Sequence, residues 1–131
     1  MILRRISLMI LISILLSGCK KDTTEPVSLM QCVPVRYMGG YCPTKIPTHL
    51  VRFLKPTDYA TKVDTNNSEG FVYMAAVINL PEQYQKRDTI FQLQFHYDPK
   101  AERQNQPLYC QMNLMPTKMV VYDGVSNTPC P

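Results

Sequence analysis

The chain has 131 residues and a formal net charge of +4, an excess that Arg4, Arg5, Lys20 and Lys21 near the N-terminus account for numerically. The remainder is close to neutral, and no Lys or Arg cluster interleaves with aromatics along one segment. That argues against a phosphate-tracking surface and therefore against a nucleic-acid partner.

Arg4 and Arg5 precede an apolar run from Ile6 to Leu16 that only Ser7 and Ser13 interrupt. The run has the length of a signal-peptide core and about half of the ~20 apolar residues that a bilayer-spanning helix needs. Leu16-Ser17-Gly18-Cys19 follows directly, and it resembles the bacterial lipoprotein signal. Small Ser17 and Gly18 suit a narrow peptidase cleft, and Cys19 supplies the thiol that accepts a diacylglyceryl group. The resemblance implies removal of residues 1–18 and attachment to a membrane through lipid on Cys19. More than one acyl chain, at about 0.8 kcal/mol for each buried methylene, makes such an anchor stable. Lys20-Lys21-Asp22 looks like the charged export tag of Bacteroidota surface lipoproteins. The expected location is the outer membrane, lipid-anchored, on its periplasmic face or at the cell surface.

Residues 20–29 are polar and carry no apolar period, so 19–29 read as the acylated cysteine with a flexible tether and 30–131 as one domain. Met30 to Met38 alternates Cys32, Pro34 and Arg36 against Val33, Val35 and Tyr37, which predicts a first strand, with Pro34 marking an edge or a bulge. Gly39-Gly40 is a turn signal. His49 to Lys55 predicts a second strand ended by Pro56, and 56–69 a long exposed loop. Phe71 to Ile78 is an uninterrupted apolar, β-branched and aromatic run, the best core candidate. Pro81-Glu82-Gln83-Tyr84 suits one short helical turn. Thr89 to Tyr97 puts Phe91, Leu93, Phe95 and Tyr97 on one face and Gln92, Gln94 and His96 on the other. A charged loop over Asp98 to Pro107, a fifth strand over Leu108 to Leu114 and a sixth over Thr117 to Asp123 complete the chain, with Asp123-Gly124 closing the regular part.

Six short strands with no long helix predict an all-β domain: a small antiparallel barrel of five to six strands, with a β-sandwich as the alternative. Closure favours the barrel, because it removes edges that a chain this short cannot otherwise cover. A strand, then Asn79-Leu80-Pro81-Glu82-Gln83-Tyr84-Gln85-Lys86, an alternating strand, a lone Cys110 and a final apolar strand together resemble small uncharacterised Bacteroidota lipoproteins with an NLP-x-x-aromatic step. The resemblance implies an OB-like barrel and no particular activity. Arg87-Asp88-Thr89 departs from the Gly turn usual there, and Cys32 and Cys130 are additional.

With Cys19 committed to lipid, Cys32, Cys42, Cys110 and Cys130 remain, an even number suited to two disulfides in an oxidising compartment. Four cysteines allow three pairings. Cys42 with Cys110 and Cys32 with Cys130 is preferred, because the second bridge ties the domain's ends together; Cys32 with Cys42 and Cys110 with Cys130 is the local alternative. The chain has no CxxC, and His49 and His96 stand far from a zinc-like spacing, so neither a metal nor a cofactor is expected.

Gln92, Gln94 and His96 form the one polar strip suited to hold a glycan or peptide, against the plainer reading of a solvated sheet face. No carboxylate or nucleophile shares a local motif with either histidine, so no catalytic residues are assigned and an enzyme is not expected. Asp58, Asp64 and Glu69 lack calcium-loop spacing. The eight tyrosines chiefly suit barrel filling, with exposed ones available for stacking. The functional expectation is an accessory or structural subunit that meets an envelope protein. A surface receptor module for glycan or peptide and an immunity or inhibitor lipoprotein are the alternatives.

Overall fold

The computed structural model describes residues 25–110 and 117–131. The signal segment, Cys19 and the Lys20-Lys21-Asp22 tag lie outside the described residues, as do 111–114 of the expected fifth strand. Six strands form: β1 (Gln31–Gly40), β2 (Thr48–Phe53), β3 (Thr61–Asp64), β4 (Phe71–Ile78), β5 (Ile90–His96) and β6 (Met119–Ser126). A 3-10 turn over Glu82–Tyr84 and a short helix, α1 (Pro99–Gln104), are the helical pieces.

Hydrogen bonding runs β2-β1-β5-β6-β4, and β2 pairs with β4 to close the ring. This is an OB-like barrel of five strands with a sixth, β3, added outside. The second edge of β4 serves two partners in turn. Residues 71–74 pair with β3, and Ala76 to Ile78 pair with β6. The β4–β6 pairing is parallel, which corrects the expectation of a wholly antiparallel barrel. A parallel pair requires a crossover connection, and here β5 and α1 intervene before the chain returns as β6.

The two-residue period sorts side chains between the inside and the outside of the barrel. Val35 and Tyr37 of β1, Val51 and Phe53 of β2, Ala75 and Val77 of β4, Phe91, Leu93 and Phe95 of β5, and Val120 of β6 share one buried cluster. Each large apolar side chain fully buried there contributes about 1.5–3 kcal/mol. Phe53 meets Phe95 edge-on with centroids 5.4 Å apart, a geometry that sets the positive ring edge against the negative face. Tyr84, from the 3-10 turn, stacks on Phe91 at 5.2 Å, and Tyr59 meets Phe95 at 6.1 Å, so tyrosines close the interior at either end of β5.

A second cluster lies outside the ring, where Ala76, Ile78 and Met119 pack with Tyr41, Ala101 and Val121. Ala101 comes from α1. The stretch expected to be loop over Asp98 to Pro107 thus contains a helix. Asp98 caps it by accepting from Lys100 N at 2.9 Å, with Pro99 in the first turn.

Both bridges of the preferred pairing form. Cys32–Cys130 has Cα atoms 5.4 Å apart and Cys42–Cys110 has them 5.1 Å apart. The local pairing is excluded. Cys42–Cys110 joins the β1–β2 loop to the stretch after α1, and Leu108 N donates to Pro43 O at 3.3 Å beside it. Leu108 to Cys110 is irregular backbone, which corrects the described part of the expected fifth strand.

Three boundaries also differ from expectation. Gly39-Gly40 belongs to β1, whose pairing shifts register between Tyr37 and Gly39, and the φ of +148° at Gly39 is one that L side chains rarely adopt. The predicted 56–69 loop contains β3. The last strand runs past Gly124 to Ser126 after a register shift opposite Gln94 and Phe95.

Candidate functional site

Because Tyr73, Ala75 and Val77 of β4 lie on the barrel side, Val72 and Met74 face outward, and pairing Val63 with Val72 sets β3 alongside them. Leu50 and Arg52 of β2 and Met38 of β1 complete a groove of about 430 Å³. Its floor is apolar, and two of its residues are methionines, whose unbranched, polarisable side chains adapt to a partner's shape.

The rim is charged. Arg52 Nη1 reaches Glu69 Oε2 at 3.2 Å in a largely solvated ion pair, worth about 0–1 kcal/mol to the fold. The β3–β4 turn fixes Glu69: Asp64 Oδ1 accepts from Asn66 N at 2.9 Å, and Asn67 Oδ1 accepts from Glu69 N at 2.8 Å. Asn66, at φ 52°, and Gly70, at φ 70°, take the left-handed conformation that such side-chain-bonded turns favour. Sequence inspection places Asp64 and Glu69 in an open loop. Only the pairing of β3 with β4 brings them to the edge of a groove.

Gln92, Gln94 and His96 do face outward along β5, but all three are half-buried. Gln92 Oε1 accepts from Cys130 N at 3.0 Å, because the Cys32–Cys130 bridge brings the C-terminal segment across this face. Gln94 lies against Gly124, where an added Cβ would stand 2.9 Å from Gln94 Oε1. His96 Nδ1 meets Asp123 Oδ1 and Oδ2 at 2.8 and 2.9 Å. The strip is largely occupied by internal partners. Asp123 lies 27 residues from His96 in sequence and reaches it only through the β5–β6 pairing, so no local motif announces the pair.

His49 also has a partner, the Tyr37 hydroxyl, at 3.0 Å from Nδ1. Burial lowers the pKa of His49 and raises that of Tyr37, so both favour their neutral forms, and the phenol and the imidazole share this hydrogen bond without an ion pair. Among the described residues no three His, Cys, Asp or Glu side chains group as metal ligands, and no helix is long and apolar enough to cross a membrane.

These features define a small, disulfide-linked OB-like barrel with an apolar, charge-rimmed groove on the outside of β2, β4 and β3. Compared with protein-family profiles, curated proteins and solved structures, the chain matches none of them.

Proposed function

We propose that the protein is an accessory subunit of a cell-envelope assembly, anchored at the outer membrane through lipid on Cys19, that docks a partner protein in the β2–β4–β3 groove. The observation that carries this reading is the apolar floor of that groove beneath Arg52 and Glu69. An aliphatic side chain of a partner fits the floor, and flanking charges of either sign find a counter-charge at the rim, which gives orientation more than affinity. A hydrocarbon surface suits the place poorly, since it would strand Asp64 and Glu69 without water. The two disulfides favour an oxidising compartment, in keeping with an exported chain. The reading assigns no catalysis and no cofactor.

A photo-crosslinking residue in place of Met74, activated in intact cells and followed by mass spectrometry, tests the docking. A discrete envelope protein is expected in the adduct, with loss of the adduct on Val63→Asp. Recovery of the protein only as a monomer in mild detergent, together with no adduct from the groove, overturns the reading.

A further inference from the structure

A second concavity lies at the end of the barrel that Tyr59 closes. Tyr59 and Asp58, on the β2–β3 connection, line two adjoining hollows. One, of about 290 Å³, is completed by Tyr97, Lys118, Ser28 and Glu25. The other, of about 400 Å³, is completed by Tyr73, Gln31 and Thr57. Half-buried Tyr59 and Tyr73 therefore stand along one groove whose edges are polar, while Tyr97, 6% exposed, backs the first hollow beneath Lys118.

The chemistry of the edges is specific. Lys118 Nζ sits 4.7 Å from the centroid of the Tyr97 ring and donates to Asp58 O at 3.4 Å. Its remaining N–H donors are available to a ligand. The Asp58 carboxylate is exposed and has no hydrogen-bond partner among the described residues. The strap that forms one wall is fixed, because Ser28 N donates to Tyr97 O at 2.8 Å and Tyr97 N donates to Ser28 Oγ at 2.8 Å. Tyr59 is itself held against Phe95 and lies 6.1 Å from Tyr97. The wall and the platform are thus in place before any ligand arrives, which lowers the ordering cost of binding.

We propose that this groove binds a neutral oligosaccharide spanning Tyr59, one sugar ring on each side. A pyranose has an apolar C–H face that packs on a tyrosine ring and hydroxyl edges that donate to carboxylates and accept from an ammonium. The groove presents that combination, and each hollow has room for one ring. Glu25 and Asp58 outnumber Lys118 in formal charge, so the site disfavours phosphorylated sugars and uronates. Both carboxylates accept charge-assisted hydrogen bonds from hydroxyls. The inference stands apart from the partner-docking groove, which shares no residue with it.

The test is calorimetric titration of the full-length chain in mild detergent with maltotriose, cellotriose, mannotriose and tri-N-acetylchitotriose, and with trigalacturonate as the anionic control. At least one neutral trisaccharide is expected to bind with a Kd of about 1 mM or tighter. Asp58→Asn and Lys118→Met, both accessible side chains, are each expected to weaken it by about tenfold or more while the circular dichroism spectrum is unchanged. Tyr73→Ala should weaken the trisaccharide more than the matching monosaccharide. No binding of any neutral probe at about 10 mM, binding that neither Asp58→Asn nor Lys118→Met alters, or equal affinity for trigalacturonate would each overturn the proposal.

Discussion

Asn105 and Ile46, 59 residues apart, exchange two hydrogen bonds: Ile46 N donates to Asn105 Oδ1 at 2.6 Å, and Asn105 Nδ2 donates to Ile46 O at 3.0 Å. Asn105 is 1% exposed and ends α1, so this amide does for the β1–β2 loop what a ladder does for a strand. Beside the Cys42–Cys110 bridge it fixes the loop against the helix, and the helix against the outer face of β4 and β6.

Asn105→Leu leaves the Ile46 amide and carbonyl without their partners at a partly buried site. Stability should fall by about 2–3 kcal/mol, read from the urea midpoint at constant m-value. Asn105→Asp keeps the acceptor for Ile46 N and sets an anion against Ile46 O. It should also destabilise, and more so at pH 7 than at pH 4.

The bridges close long segments, with sequence separations of 98 for Cys32–Cys130 and 68 for Cys42–Cys110. Peptide mapping without reduction should recover these two linked pairs. Replacing Cys32 and Cys130 together by Ser should lower stability by about 2–5 kcal/mol and free the C-terminal segment from Gln92. Faster amide exchange at Cys130 position and its neighbours is the specific sign, because Cys130 N otherwise donates to Gln92.

The Tyr37–His49 hydrogen bond predicts a pH dependence of stability. Burial holds the folded pKa of His49 below its ordinary 6.5, so between the two values the unfolded chain binds more protons. The contribution is present above about pH 6.5 and is lost as pH falls through the folded value. His49→Gln retains an acceptor for the phenol and cannot titrate, so its loss of stability from pH 7 to pH 5 should be smaller than that of the parent chain. Equal losses in the two proteins would contradict the assignment.

Tyr97 predicts the opposite limb. Burial first, then the negative charges of Glu102 and Glu25, push its pKa up to about 12. A raised pKa means that its contribution is complete below the unfolded value near 10 and is lost as pH rises through the folded one. Absorbance at the phenolate band should show a late step near pH 12 from Tyr97, and Glu102→Gln should advance it.

The strands that could be read along the chain are those whose own side chains carry the period. Phe71–Ile78 matches β4 end to end, and the alternation at Phe91, Leu93 and Phe95 matches the buried face of β5. β3 was not legible, because Thr61–Asp64 has a single apolar residue, Val63, and becomes a strand by pairing with β4. α1 carried signals, Asp98 at the cap and Pro99 in the first turn, but its six residues offer only Ala101 to the second cluster, too little for an apolar period. Pro34 marks neither an edge nor a bulge: it lies opposite Gln92 in the β1–β5 ladder of a strand paired on both sides, and the shift of register falls at Tyr37 and Gly39 instead.

By itself the sequence determined an all-β body, the faces that β4 and β5 bury, and four cysteines from Cys32 onward suited to two bridges, because residue period and composition are local properties. Only the tertiary structure decided that β4 runs parallel to β6, that Asp123 reaches His96, that the Gln92 strip lies beneath the C-terminal segment, and that Asp58, Tyr59, Tyr97 and Lys118 meet at one end of the barrel. Those outcomes depend on which distant segments become neighbours when the ring closes. The closing free energy is shared among all the strands, so no single stretch of chain encodes them.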